Sequence, residues 1–156
     1  MDFVQLLSNV KELNINFDNI ILDLAMEEKD FIAQANRDQL WEGKTVTDED
    51  IRPYYSEDPY FKSPKSAAAY AKWKQKITPS TRGLDVPNLY INGYFYKSIL
   101  AQKKDDHIEN VSNVSMGNDI ISEHDNIMGL NLDHKIKLSQ LVIPKFQKKL
   151  KDEITR

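Results

Sequence analysis

The apolar positions of this chain follow two patterns. Up to about residue 42, and again from about residue 132, they recur every three or four residues; between 99 and 127 they alternate in short runs. Phe3, Leu6, Leu7, Val10 and Leu13 mark an amphipathic helix over residues 2–13, with Asp2 placed to cap it. Asn14-Ile15-Asn16 brings turn-favouring residues, so a break is predicted there. Phe17, Ile20, Ile21, Leu24, Phe31, Ile32, Ala35 and Leu40 then hold one stripe, while Asp23, Glu27, Glu28, Lys29 and Asp30 fall mostly off it. The spacing predicts one helix of roughly 25 residues, about 37 Å long, ending at Glu42 with Gly43 just beyond.

Residues 44–64 have no clear period. Pro53, Pro59 and Pro64 preclude a long helix, although Thr47-Asp48-Glu49-Asp50 suits a single helical turn. Tyr54, Tyr55, Tyr60 and Phe61 predict that this stretch packs down onto the domain. A third helix is predicted after Ser63 or Ser66, through Ala67–Lys74, stopping by Pro79. The densest apolar run, Asn88–Leu100, follows Pro87 and is interrupted by Asn92-Gly93. Taken alone, that pair reads as a two-residue hairpin turn between strands at 89–91 and 94–96.

Strand-like alternation continues through Ile108/Asn110, Val111/Asn113, Val114/Met116 and Ile120/Ser122. Asn131 then caps a last helix to about Ile154, with Leu138, Leu141, Val142, Phe146, Leu150 and Ile154 on its apolar face. Pro144 inside it predicts a kink near Gln140–Leu141, or a division in two. The expected fold class is α+β in a single domain: long N-terminal helices over 1–83, a small mainly antiparallel β-sheet within 84–130, and a C-terminal helix over 131–156 packed on the sheet.

Composition removes several chemistries. The chain has no cysteine, hence no disulfide, thiolate metal site or cysteine nucleophile. Five glycines are too few for a phosphate cradle beyond a single turn, and no Walker, G-x-G-x-x-G or G-x-S-x-G motif occurs. His107, His124 and His134 have no second ligand at metal spacing; Asp105-Asp106-His107 and Glu123-His124-Asp125 could each form a hydrogen-bonded pair and read as solvated turn residues. No metal, cofactor or enzymatic activity is expected. Met1–Leu7 lacks the basic and continuous apolar regions of a signal peptide, and no window reaches the roughly 18 apolar residues of a membrane span, so the chain is expected to stay where it is made.

Charge adds a polarity. Residues 1–62 carry 14 Asp/Glu against 6 Lys/Arg, and residues 63–156 carry 10 against 15, within a net charge of −3. Solvated faces explain this, as does a subunit whose acidic side meets its neighbour's basic side. On the second reading Glu27, Glu28, Asp48, Glu49 and Asp50 would face Lys145, Lys148 and Lys149 across a subunit interface. Those lysines, with Lys151, also complement the dipole of a helix C-terminus.

A second basic stretch, Phe61, Lys62, Lys65, Lys72, Trp73, Lys74, Lys76 and Arg82, interleaves aromatic and cationic residues as nucleic-acid binders do. Helical spacing instead directs Tyr70 and Trp73 to the core and leaves Lys72, Lys74 and Lys76 as surface lysines. Nucleic-acid binding is therefore the alternative function.

Three ordered stretches carry a resemblance. Asn36-Arg37-Asp38-Gln39-Leu40-Trp41-Glu42-Gly43-Lys44 with Ile51-Arg52-Pro53-Tyr54-Tyr55, then Leu89–Ile99, then Ile127-Met128-Gly129-Leu130-Asn131 before the last helix, touch about half of the chain. Together they resemble the tailed-bacteriophage and prophage head–tail connector or tail-completion (neck) proteins. Asn92 and Asn131 stand where that family commonly has Thr, and Met128 where it has an aromatic, which keeps the turn and cap chemistry.

The resemblance implies a non-enzymatic virion protein, made in the host cytoplasm. It would form a homo-oligomeric ring at the portal–tail junction, among portal, other ring and tail proteins, with DNA at most passing through the lumen. It also favours a short helical turn over Tyr94–Ser98 after Asn92-Gly93, with Phe95 and Ile99 in the core, and that arrangement is the one expected here. Gly43, Asn92, Gly93, Gly129 and Pro144 are the expected structural joints.

Overall fold

The computed structural model describes residues 2–155, except for the side chains of residues 13–16. Its elements are α1 (Phe3–Met26), α2 (Lys29–Trp41), α3 (Pro64–Ile77), α4 (Tyr94–Ser98), β1 (Ile99–Lys103), β2 (Ile108–Ser112), α5 (Ser115–Glu123) and α6 (Leu132–Ile154). This is an α+β fold.

The N-terminal helices divide in a different place from the one predicted. Asp2 caps α1 by accepting the Gln5 N–H at 2.7 Å. The helix then runs unbroken through 14–16; the place of Leu13 on the stripe lies outside the described side chains. An Asn costs a helix only about 0.7 kcal/mol, which packing on α6 outweighs. The break falls instead at Glu27-Glu28, where the Glu27 N–H still reaches the Asp23 carbonyl and the Glu28 N–H turns back to the Ala25 carbonyl. Leu24 and Ala25 face Val142 and Phe146 of α6, whereas Ala33 and Leu40 face the central core. The bend lets one continuous stripe serve two different partners.

The central core collects Ala33, Leu40, Ile51, Phe95, Tyr96, Ile99 and Ile127. Each fully buried aliphatic there contributes on the order of 2 kcal/mol. β1 and β2 pair antiparallel, Ile99 opposite Ser112 and Lys103 opposite Ile108. α6 packs along α1 and reaches the sheet where Leu138 meets Ile108. Pro144 lies inside α6 without dividing it, and the Gln140 carbonyl that its missing N–H would leave unpaired belongs to an exposed residue.

The sheet stops earlier than alternation predicts. Residues 115–123 form α5, and Val114/Met116 and Ile120/Ser122 are not strand pairs. Ile120 and Ile121 turn to the central core from a helix that lies hard against β2. Gly117 makes that approach possible, because a Cβ there would sit 1.8 Å from Ser112 Oγ. The 44–50 segment is a hydrogen-bonded loop closed by the Thr45 N–H to Glu49 carbonyl bond rather than a helical turn. The aromatics after it do pack down, Tyr55 on Phe61 and Tyr70, although Tyr60 stays exposed. Ser63 caps α3 in a reciprocal box with Ser66.

The irregular segments are held by polar side chains of α2. Asn36 donates from Nδ2 to the Ile127 carbonyl at 2.8 Å and accepts at Oδ1 from the Gly129 N–H and from Asn110 Nδ2. Gln39 accepts the Asn131 N–H at 2.9 Å and donates to the Gly129 carbonyl. Arg37 donates to the carbonyls of Tyr96 and Ile99, both at 2.7 Å. Asn36→Ala leaves the Ile127 carbonyl and the Gly129 N–H without their side-chain partner at a fully buried position and takes one acceptor from Asn110, so it should cost on the order of 3 kcal/mol of unfolding free energy in a urea titration. Gln34→Ala, on the exposed face of the same helix, should stay within about 0.5 kcal/mol of the parent.

Candidate functional site

Two features of the surface stand apart from the rest. The first is the N-terminal arm of α1. Antiparallel packing places Phe17 against Phe146, ring centroids 4.8 Å apart, and brings Asn9 Nδ2 to the Ile154 carbonyl. There α6 ends. The same stripe continues past it through Phe3, Leu6, Leu7 and Val10, and Phe3 is 75 % exposed. Between α1 and α6 lies an almost wholly apolar groove of about 270 Å³, lined by Ile21, Ala25, Leu138, Val142, Ile143 and Phe146.

The second feature is a pocket of about 320 Å³ between the 53–61 loop, α3 and the 87–91 segment. Tyr55, Phe61, Tyr70 and Tyr90 supply its walls, with Tyr55 and Tyr70 edge-to-face at 5.1 Å. Lys74 lies at its edge, only 3 % exposed as a residue, with its ammonium 5.7 Å from the centre of the Tyr90 ring. Burial, with a lesser push from the nearby Arg82 charge, drives its amine down to about 8.

The basic stretch that suggested nucleic acid is thus divided. Lys74 and Arg82 are buried; Arg82 donates to the carbonyls of Thr78 and Val86 and to the hydroxyls of Thr78 and Ser80, which ties the loop after α3. Trp73, expected in the core, is 52 % exposed, and Lys62, Lys65, Lys72 and Lys76 surround the same helix on its outer side. The sequence did carry the sign of this exchange: Ala67, Ala71 and Lys74 share one helical face, and a small-residue stripe draws the next residue inward.

The charges expected at a subunit interface are partly spent within the chain itself. Lys145 bridges Glu27 at 2.8 Å and Glu28 at 2.9 Å, and these carboxylates hold its amine above the ordinary lysine range. Asp50 pairs with Lys44 and accepts from the Tyr54 hydroxyl, the lysine chiefly keeping its carboxyl low, and Asp48 accepts from Asn131 Nδ2. Glu49, Lys148 and Lys149 are exposed. Gly43 ends α2 with φ +67° and Gly93 opens α4 with φ +84°, where Asn92 Oδ1 accepts the Tyr94 N–H. Gly129 is held at both its N–H and its carbonyl by α2.

The histidines lie apart. His107 pairs with Asp106 at 2.7 Å in the exposed turn between the strands, His124 Nδ1 meets the Arg52 carbonyl at 2.7 Å, and His134 Nδ1 meets Gln39 Oε1 at 2.8 Å. No group of three or more acidic or histidine side chains suited to a metal occurs among the described residues. No helix among them is long and apolar enough to cross a membrane. No family model, curated protein or solved structure matches the chain.

The buried amine has a consequence for stability. Unfolded, Lys74 holds its proton to about 10.5; folded, only to about 8, so between these values the unfolded state binds more protons and stability should rise with pH. Above pH 10 the sign reverses, because Tyr55 stays protonated to about 12 and Tyr96 is raised as well, while their unfolded counterparts ionise. Urea midpoints should therefore climb from pH 8 toward pH 10 and fall beyond it. Lys74→Met should abolish the rising limb, an effect on the order of 2–3 kcal/mol, and leave the falling one.

Proposed function

We propose that this chain is a structural subunit that assembles head-to-tail with copies of itself, in a phage neck, connector ring or tail-completion assembly joining the portal of the head to the tail. The observation that carries the assembly is the arm: an apolar stripe at helical spacing that outruns its partner α6, with a groove of matching chemistry about three turns further along the same helix. An arm laid into a neighbour's groove is a heterologous contact of the helix-in-groove kind, which closes to a ring when the rotation per subunit permits.

Magnitudes favour a compound interface. Burying what Phe3, Val4, Leu7 and Val10 still expose contributes roughly 4–7 kcal/mol, at the low end of the roughly 4–15 kcal/mol that association costs. The exposed Ile136, Leu141 and Ile143 of α6 add the surplus. Charge plays the smaller part, since Glu27, Glu28 and Lys145 already satisfy one another.

The phage assignment rests on the sequence resemblance, supported by the way its three stretches meet. Asn36, Arg37 and Gln39 of the first stretch bind the backbone of Tyr96 and Ile99 in the second and of Ile127, Gly129 and Asn131 in the third. What the resemblance marks is therefore one connected unit.

Sedimentation of the purified chain should show mass rising with concentration into a closed oligomer. Phe3→Asp with Leu7→Asp should give monomers of unchanged melting temperature, and so should Ile143→Asp. Mixing the arm variant with the groove variant should restore pairs but not rings, the signature of a head-to-tail contact. A native chain that stays monomeric at all concentrations and binds duplex DNA with strong salt dependence would overturn the reading in favour of the nucleic-acid alternative. Locating the protein in a reconstruction of purified particles tests the neck assignment separately.

A further inference from the structure

The pocket beside α3 is not used by the assembly just described, and its chemistry is specific. Lys74 presents three donors, yet among the described residues its ammonium makes no hydrogen bond and no ion pair. Its surroundings are the Tyr90 ring and a second cation, Arg82, whose own donors are occupied. A buried charge left in this state is costly, and cores ordinarily supply a counter-charge. Here the counter-charge has room to come from outside. The volume of about 320 Å³ is at the low end for ligand sites, enough for one ring and a short chain.

We infer that this pocket binds a flat apolar group bearing a carboxylate, with Lys74 taking the anion and Tyr55, Phe61, Tyr70 and Tyr90 enclosing the apolar body. Aromatic walls alone would equally suit a cation. Lys74 and Arg82 turn the preference round, because a second cation would meet two like charges. Asp58 also lines the pocket and brings a negative charge, its Oδ1 accepting from the Tyr60 N–H, but the two cations outnumber it, and His124 is engaged by the Arg52 carbonyl. Binding should draw the Lys74 amine back toward the ordinary lysine range. Two sources share this chemistry: a free aromatic acid, and the C-terminal residue of a peptide ending in an aromatic side chain.

Calorimetry on the full chain with two matched pairs separates the sources: benzoate against benzamide, and acetyl-Pro-Phe as the free acid against its C-terminal amide. At least one acid should bind about tenfold or more tightly than its amide, the worth of a charge-assisted hydrogen bond. The pair that shows the larger ratio identifies the source. Lys74→Met keeps the length of the stem and should bring acid and amide to equal affinity. Acids that bind no better than their amides, in both pairs, overturn the inference. If Lys74→Met does not fold, reductive ¹³C-methylation of the native protein gives the same decision: the Lys74 methyl signal should shift with acid and not with amide, and an unmoved signal overturns the inference.

Discussion

The structure depends on one demand, that irregular backbone taken out of water must find hydrogen-bond partners. Segment 127–131 enters the core outside any helix or sheet, and the short α4 passes straight into β1 with the carbonyls of Tyr96 and Ile99 turned toward α2. α2 supplies what they lack. Asn36, Gln39 and Arg37 sit within about one turn of a rigid helix, so their amides and guanidinium are held at fixed spacing and the two segments are drawn to them. Phe95, Ile99 and Ile127 pack against Leu40 because the backbone carrying them has been anchored beside it.

The same helix explains the bend at Glu27-Glu28. With α2 committed to the central core and α1 to α6, a straight helix would leave one stripe facing water. The bend places two carboxylates where Lys145 closes on both. Charges far apart in the sequence thereby become neighbours within one subunit. Among the described residues the apolar arm has no such closure, so the proposed assembly rests on its side chains rather than on the charge polarity of the chain.

Lys74 and Arg82 show how the same physics separates a structural group from a site. Both are buried cations at the end of α3. Arg82 places its donors on four acceptors and fastens a loop. Lys74 meets only an aromatic face, and its amine is held low by burial. A satisfied buried cation is fixed architecture. An unsatisfied one beside an aromatic pocket is the basis of the proposed ligand site.

The sequence by itself determined the class of the fold and most of its helices. The 3.6-residue stripes of α1, α2 and α6, the Ser63 box with Pro64, and the cap at Asn131 are local signals, written within one or two turns of the residues they govern. Where local signals are weak or divided, tertiary structure decided. Asn14 and Asn16 carry too small a penalty to break a helix packed on another. Val114–Ser122 alternates like a strand, yet Ile120 and Ile121 are buried from a helix because Gly117 lets it lie against Ser112. Trp73 and Lys74 exchanged places because neighbouring residues on a helix point to different faces, and the Ala67–Ala71 face was the one the aromatic loop covered. Periodicity tells which residues share a face; only the partner that packs there decides whether that face is inside.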